Sequence, residues 1–409
     1  MRKRVAILVW NNFVYDKRVM NVASFFSKNY DTTVLAAKTI AELPTHEKIK
    51  YQIYRIPLFS SLKKGKSNHN ASSKLSNLNS IYEEKIKNNR LKLVLIEFIN
   101  VIIYHFKLLK YFSLNKPDLI YCNDLDTLDI GYLISKLYKS KIIFDSHEIF
   151  LEGSRFHNAT KLRQIIWQNL EKHVIRKVDK VIVTTDLRKK ILEEKYEITN
   201  INVIRNCHNE VFLEKKYDLF RDEFLIDKTT PILLYQGGLT SVRGIFTMVD
   251  VVSELNDISL IFMGMGRDKK ALTHYIKEKK LENRIFVKDA VLPGDLIKYT
   301  SSADIGLQLL HNVNRNHYST ISNKIFEYMA AGLAIIASDF PEIKKIIKGY
   351  HIGKVVNPDS EKDIRNAILE ITSNKELIKK MKVNSRKAFR ENTWEKEELK
   401  LKQIVNGLL

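Results

Sequence analysis

From Met1 onward the chain alternates short runs of β-branched and apolar residues with longer stretches in which apolar residues recur every three or four positions. The runs in the first half are Val5 to Trp10, Thr33 to Ala36, Tyr51 to Ile56, Leu119 to Cys122, Lys141 to Asp145 and Lys180 to Thr184. Each has the length and composition of a β-strand, so the stretches between them become crossover helices and the strands lie parallel. Between Asn206 and Pro231 the pattern gives way to polar, charged sequence, and then it restarts. Further strands are expected at Ile232 to Gln236, Ile258 to Phe262, Arg284 to Val287, Ile305 to Leu309, Ala334 to Ala337 and near Lys354 to Val356. Beyond Pro358 only helical periodicity remains, through Leu409. The pattern predicts an α/β protein of two tandem Rossmann-like domains, residues 1–210 and 211–390, with a C-terminal helix over 391–409 packing back on the first domain. No repeat of solenoid period interrupts it.

Two segments of the first half need separate reading. Ser60 to Ser80, rich in Ser, Asn and Lys, follows no period and reads as a surface loop before a helix from about Ile81 to Phe112. Within that helix Leu91 to Phe112 is the most membrane-like stretch of the chain, yet Lys92, Glu97, Asn100, Lys107 and Lys110 fall within about 140° of a helical wheel. It is amphipathic and not a span. Val5 to Trp10 is too short for the apolar part of a signal peptide and reads as the first strand.

Composition adds three constraints. A chain of 409 residues exceeds what one core usually organises, and 44% hydrophobic with 28% charged residues is ordinary for a globular protein and unlike a disordered chain. Cys122 and Cys207 have no metal-ligand or disulfide-framework spacing and suit a reducing cytosol. The net charge of +21 is uneven: residues 1–210 carry 36 Lys/Arg against 21 Asp/Glu, net +15, and Lys48 to Lys116 carry 14 basic residues against Glu83, Glu84 and Glu97, net +11. Such a surface suits an anionic partner, whether nucleic acid, lipid headgroup or phosphorylated substrate.

The most informative motif is Ser322-Asn323-Lys324-Ile-Phe-Glu327 through Gly332 to Ser338-Asp339. It reads as loop, helix, glycine stop, buried strand and polar strand end. A helix opening at Ser322 aims unpaired N–H groups and the positive end of its dipole at an anion, as α/β folds do for a diphosphate. Lys324 adds a full charge, and Glu327, one turn in, suits a carboxylate accepting two hydrogen bonds from a ribose diol.

This segment resembles the donor-binding helix of the retaining, two-Rossmann (GT-B) glycosyltransferases of glycosyltransferase family 4, and the resemblance extends over the chain. Leu234 through Gly237, Gly238 and Leu239 to Arg243-Gly244 is similar to the family's strand, glycine turn and Lys/Arg-Gly that contact the diphosphate. Leu260 to Gly264 and Gly266, Phe286 to Leu292 with Asp289 and Val291, and Tyr299 to Leu309 resemble its next strand, base-binding loop and helix–strand unit. Pro117 to Asp124 and Ile142 to His147-Glu148 resemble the two strand ends lining its interdomain cleft. The resemblance implies two domains facing across a cleft and donor contacts from Gly237, Gly238, Arg243, Gly264, Asp289, Val291, Ser319, Ser322, Asn323, Lys324 and Glu327. It implies catalytic roles for His147, Arg243 and Lys324.

The chain departs from the family at three places. Where the family has two glutamates separated by seven residues, Glu327 is the second and the first position falls on Ser319. The family's arginine after the first glycine is Gly238, leaving Arg243 and Lys324 as phosphate cations. Its N-terminal Gly-Gly loop is replaced by Asn11-Asn12-Phe13-Val-Tyr-Asp16-Lys-Arg18, which reads as a distinct acceptor pocket, or more plainly as a helix start capped by Asp16. Asp124 and Glu148 complete the expected acceptor side. Asp124-Leu-Asp126 spells a metal-binding triplet used by sugar transferases of another fold, but one of these carboxylates suits a helix cap and no metal site is assigned. Gly264-Met-Gly266 lacks the third glycine of a dinucleotide fingerprint, since Lys269 stands there.

The expected activity is metal-independent transfer of a hexosyl or N-acetylhexosaminyl group from a nucleoside diphosphate sugar, UDP favoured, to an acceptor hydroxyl with retention, in cell-surface polysaccharide or glycolipid assembly. The nucleotide sugar is a co-substrate and no cofactor is needed. A glycan or lipid-linked glycan acceptor and an anionic membrane surface are the expected partners, at the inner face of the cell membrane. Two alternatives stay open: a hydrolysing nucleotide-sugar 2-epimerase on the same plan, and a basic nucleic-acid-binding protein, against which stands the lack of a recognised nucleic-acid module.

Overall fold

The structure is a computed structural model describing residues 2–14, 16–59, 90–153, 161–211, 213 and 216–409. The expected loop Ser60 to Ser80, with Lys63, Lys64 and Lys66, and the expected helix start at Ile81 lie outside the described residues. The chain forms two compact units, Met1–Arg205 with Glu398–Leu409, and Asn206–Glu397. The C-terminal segment therefore rejoins the first unit, where Leu401 and Val405 are buried and Lys28 pairs with Glu398.

The first unit contains β1 (Arg4–Val9), β2 (Asp31–Lys38), β3 (His46–Lys48), β4 (Gln52–Pro57), β5 (Leu119–Asn123), β6 (Lys141–Ser146), β7 (Lys180–Val183) and β8 (Ile201–Val203). They form one sheet in the order β3-β4-β2-β1-β5-β6-β7-β8, parallel except for β3, which runs antiparallel to β4. The two edge strands were not expected. His46-Glu47-Lys48 has no apolar signal and is held by pairing to β4 and by the Arg55–Glu47 ion pair at 2.8 Å. β8 is only three residues long.

The second unit contains β9 (Ile232–Gln236), β10 (Ser259–Met263), β11 (Ile285–Lys288), β12 (Ile305–Gln308), β13 (Ala334–Ser338) and β14 (Gly353–Val356). Its order is β11-β10-β9-β12-β13-β14, parallel throughout. Winding outward from β9 in one direction and from β12 in the other is the doubly wound Rossmann order, and β1 and β5 are the corresponding central pair of the first unit. At such a reversal the connecting helices leave to opposite faces and open a crevice beyond the strand ends. Each unit is therefore a mixed α/β, parallel-sheet domain.

In the first unit the helix Arg90–Leu114 seats Tyr104, Leu108 and Phe112 on the sheet with Ala6, Leu8 and Leu35. Among the described residues no helix is long and apolar enough to cross a membrane. In the second unit the helix Asn323–Ala331 covers the reversal point. A Cβ on Gly306 of β12 would lie 2.4 Å from two ring carbons of Tyr328, so only glycine lets this helix approach. The Tyr328 hydroxyl lies 3.2 Å from the Leu234 carbonyl and 3.0 Å from that of Leu307, and it accepts the Gln236 N–H at 3.2 Å. One side chain thus fixes the helix against β9 and β12 together.

Gly306→Ala should lower the stability of the second unit by about 1–3 kcal/mol, because the added methyl displaces the ring or the helix. Urea denaturation checks this, and an unchanged midpoint would contradict the packing.

Candidate functional site

Each unit gathers its polar side chains at the reversal point of its sheet. In the first unit they form a charge network. Arg18, on the first turn of the helix Lys17–Ser27, is buried and donates from Nε to Asp145 Oδ2 at 2.9 Å and from Nη2 to Oδ1 at 2.7 Å. Its Nη1 donates to the Ile204 carbonyl at 2.9 Å. Tyr121 of β5 donates to Asp145 Oδ2 at 2.6 Å. The bidentate guanidinium and the adjacent His147 outweigh burial and hold the Asp145 carboxyl well below its usual range.

His147 follows β6 and lies between two carboxylates. Its Nε2 is 3.1 Å from Asp145 Oδ2, in ion-pair contact without hydrogen-bond alignment, and its Nδ1 is 3.5 Å from Asp124 Oδ2. The backbone repeats the contact, with His147 N–H donating to Asp124 Oδ1 at 3.2 Å and Arg188 donating to the His147 carbonyl. Burial disfavours the charged ring, but Asp145 and then Asp124 outweigh it and raise its pKa to about 10. His147 is therefore an imidazolium at neutral pH. Asp124 holds this geometry with φ of 59° and ψ of 171°, a backbone region costly to a residue with a Cβ. Its side chain makes no cap hydrogen bond, contrary to the cap expected for this triplet, because it faces His147.

The preceding loop is tied to itself. Asp16 Oδ1 accepts from Val19 N–H at 3.1 Å, the ordinary work of an N-cap, and its Oδ2 accepts from Asn11 at 2.9 Å. Asn12 bonds Thr39, and Phe13 is buried with φ of 51°. The Arg18 guanidinium is taken up by Asp145 and the Ile204 carbonyl. Glu148 is exposed.

The second unit brings together most of the residues expected for the donor. Lys324 is buried, with Cε 2.7 Å from where a Cβ on Gly237 would sit and Nζ 5.4 Å from the Tyr235 ring centroid. The Arg243 guanidinium lies beside Gly238, whose Cβ would be 3.7 Å from Nε. Neither cation has an ion-pair partner among the described residues. Burial, aided by the charge of Arg243 and opposed by that of Glu327, lowers the Lys324 pKa to about 7. The Arg243 turn is fixed on two sides: Ser241 N–H donates to Asp268 at 2.7 Å, and His311 N–H to the Val242 carbonyl at 3.0 Å.

Glu327 Oε2 accepts from Gln236 Nε2 at 2.5 Å, and Gln236 Oε1 accepts from Thr300 at 2.7 Å. Gln236, Tyr235, Asp145 and Tyr121 are site residues that motif reading missed. The signal available was position, since Gln236 and Tyr235 end the strand before the Gly237-Gly238 turn. Ser322 caps the helix Asn323–Ala331 without a side-chain hydrogen bond, and Asn323 is exposed at its first turn. Gly264, with φ of 156°, lies against Gly237, where a Cβ would be 1.9 Å from its carbonyl oxygen. The Gly237 and Leu239 N–H groups donate to the Met263 and Met265 carbonyls, which occupies them within the turn.

Three expected residues sit differently. Ser319 is fully buried at the end of the short helix Arg315–Tyr318. Asp289, beyond β11 at the sheet edge, is exposed and paired with Lys269 at 2.5 Å, and Val291 packs against the core.

Residues 216–388 match the family described as glycosyl transferases group 1, and residues 84–210 match Glycosyltransferase Family 4. The chain is 21% identical over 279 residues to alpha-D-kanosaminyltransferase of Streptomyces kanamyceticus, covering 62% of this chain and 67% of that protein. In fold it is similar to sucrose-phosphate synthase from Thermosynechococcus elongatus, with a TM-score of 0.75, 16% identity and coverage of 100% and 99% of the two chains. It is also similar to Anabaena HepE in complex with UDP-glucose, with a TM-score of 0.71, 13% identity and coverage of 99% of each chain. The protein is a glycosyltransferase of the GT-B fold, its C-terminal part similar to the group 1 family and its N-terminal part to family 4. These matches favour the transferase over the epimerase and nucleic-acid readings.

Because the folded pKa of His147 lies above its ordinary 6.5, this contact stabilises the fold fully below pH 6.5 and is lost as pH rises toward about 10. Asp145 acts oppositely, stabilising above the ordinary carboxylate range and losing its contribution in strong acid. Nitrogen-detected NMR of labelled histidine should therefore find His147 doubly protonated at pH 8, with Asp124→Asn lowering its midpoint. A neutral ring at pH 8 would contradict the network. Asp145→Asn should cost about 3–5 kcal/mol by leaving Arg18 buried and unpaired.

Proposed function

We propose that the protein transfers a hexosyl or N-acetylhexosaminyl group from a UDP-sugar to an acceptor hydroxyl with retention of configuration and without a metal. The observation that carries this reading is the pair of cations at the β9–β12 reversal, Arg243 and the buried Lys324, neither with a carboxylate partner among the described residues. A diphosphate supplies the missing negative charge, and the open N-terminus of the helix Asn323–Ala331 adds its dipole. Glu327, held by Gln236, accepts from the ribose hydroxyls. UDP is favoured because HepE, similar in fold, was solved with UDP-glucose. The second unit holds the donor and the first unit the acceptor.

As the sugar–phosphate bond breaks, charge grows on the diphosphate, and Arg243 and Lys324 stabilise it. The acceptor oxygen forms the new bond to the anomeric carbon, and its proton passes to the departing phosphate oxygen on the same face. Ser319, in place of the family's first glutamate, offers no carboxylate nucleophile, which supports this single-step route. His147, as an imidazolium between Asp124 and Asp145, orients hydroxyls of the transferred sugar. The strongly basic first unit favours an acceptor carried on a phosphorylated lipid, with the protein peripheral at the inner face of the cell membrane.

Glu327→Ala should raise the donor KM more than it lowers kcat, because the ribose contact is the same in ground and transition states. Arg243→Ala should lower kcat by roughly 10² or more. Steady-state kinetics with varied UDP-sugar checks both, and an unchanged donor KM for Glu327→Ala would sink the ribose assignment. Activity should persist in EDTA, whereas loss rescued by Mn²⁺ would overturn the metal-free reading.

A further inference from the structure

The helix Arg90–Leu114 is apolar on two sides. Tyr104, Leu108 and Phe112 are buried against the sheet, and on the outward side Leu95, Phe98, Ile102 and Phe106 are 56%, 65%, 51% and 68% exposed. Their spacing of three, four and four residues makes one continuous stripe. The helix Leu128–Tyr138 packs alongside, with His105 Nε2 3.4 Å from Asp129 Oδ2, and adds exposed Leu133 and Leu137. The contrast lies within the same unit: the helix Asp186–Tyr196 covers its outward side with the pairs Lys189–Glu193 and Lys190–Glu194. An outward apolar stripe of this size costs solubility and marks a face that docks.

Charge selects the occupant. Among the described residues, exposed Lys110, Lys136 and Lys139 stand beside the stripe against exposed Glu97. A second copy of the chain in a two-fold contact would set this basic surround against itself. An anionic bilayer supplies both the negative headgroups and the hydrocarbon. We propose that the outward face of the helix Arg90–Leu114, flanked by Leu133 and Leu137, docks the protein on an anionic lipid surface, with Phe98 and Phe106 inserted below the headgroups. This rests on the reading that the acceptor is lipid-carried, and it assigns the docking to an apolar stripe rather than to charge alone.

The test is sedimentation of the full chain with vesicles of phosphatidylcholine alone or mixed equally with phosphatidylglycerol. Wild type should bind the mixed vesicles only. Phe98→Asp/Phe106→Asp should weaken that binding about tenfold or more, and Lys110→Glu/Lys136→Glu should weaken it and flatten its salt dependence. The replaced side chains are exposed, so an unchanged melting temperature and donor KM show that fold and active site are intact. Equal binding by wild type and the aspartate variant would overturn the proposal. So would equal binding to neutral vesicles, or a wild-type dimer that the aspartate variant breaks. Binding is read without substrates, so vesicle docking by an enzyme inactive on lipid acceptors would sink the acceptor reading and leave the docking face standing.

Discussion

Charge buried at the ends of parallel strands must be neutralised, and the two units meet that constraint differently. In the first, Arg18 and His147 are balanced by Asp145 and Asp124, so the network closes on itself, and the contacts hold the Asp145 carboxyl low and the His147 ring high. In the second, Arg243 and Lys324 have no ion-pair partner among the described residues, and the nearby Glu327 is hydrogen-bonded to Gln236. With no carboxylate in contact, Lys324 answers burial by giving up its proton near neutral pH. A closed network is suited to holding a geometry and an open one to receiving an anion.

The second network depends on close approaches that only glycine permits. Gly306 lets Tyr328 lock the helix Asn323–Ala331 onto β9 and β12, Gly237 leaves room for the Lys324 stem, and Gly264 lets the end of β10 close on Gly237. The absence of a side chain at Gly238 is matched by Arg243, whose guanidinium lies beside that position from a turn farther along the chain.

Most strands and the helix Asn323–Ala331 were legible in the sequence because their determinants are local. Short β-branched runs mark the central strands, and Ser322, Glu327 and Gly332, the last with φ of 72°, mark where one helix starts, what it carries and where it stops. The edge strands β3 and β8 were not legible, since sheet pairing and not composition makes them strands. The partner of Arg18 lies 127 residues away at Asp145, so a reading confined to the Asn11–Arg18 loop assigned it to a ligand. The protonation of Lys324 and His147 was invisible for the same reason: lysine beside arginine and histidine between two aspartates are facts of the fold.

The open network makes a thermodynamic claim that needs no acceptor. Lys324, with a pKa of about 7, is mostly neutral at pH 8, and a diphosphate bound beside it must draw a proton back. Free UDP is fully ionised at that pH and contributes no proton change of its own. Calorimetric titration of UDP at pH 8, in buffers of different ionisation enthalpy, should show uptake of close to one proton per nucleotide bound, and Lys324→Met should abolish it. A binding enthalpy independent of the buffer would contradict the account.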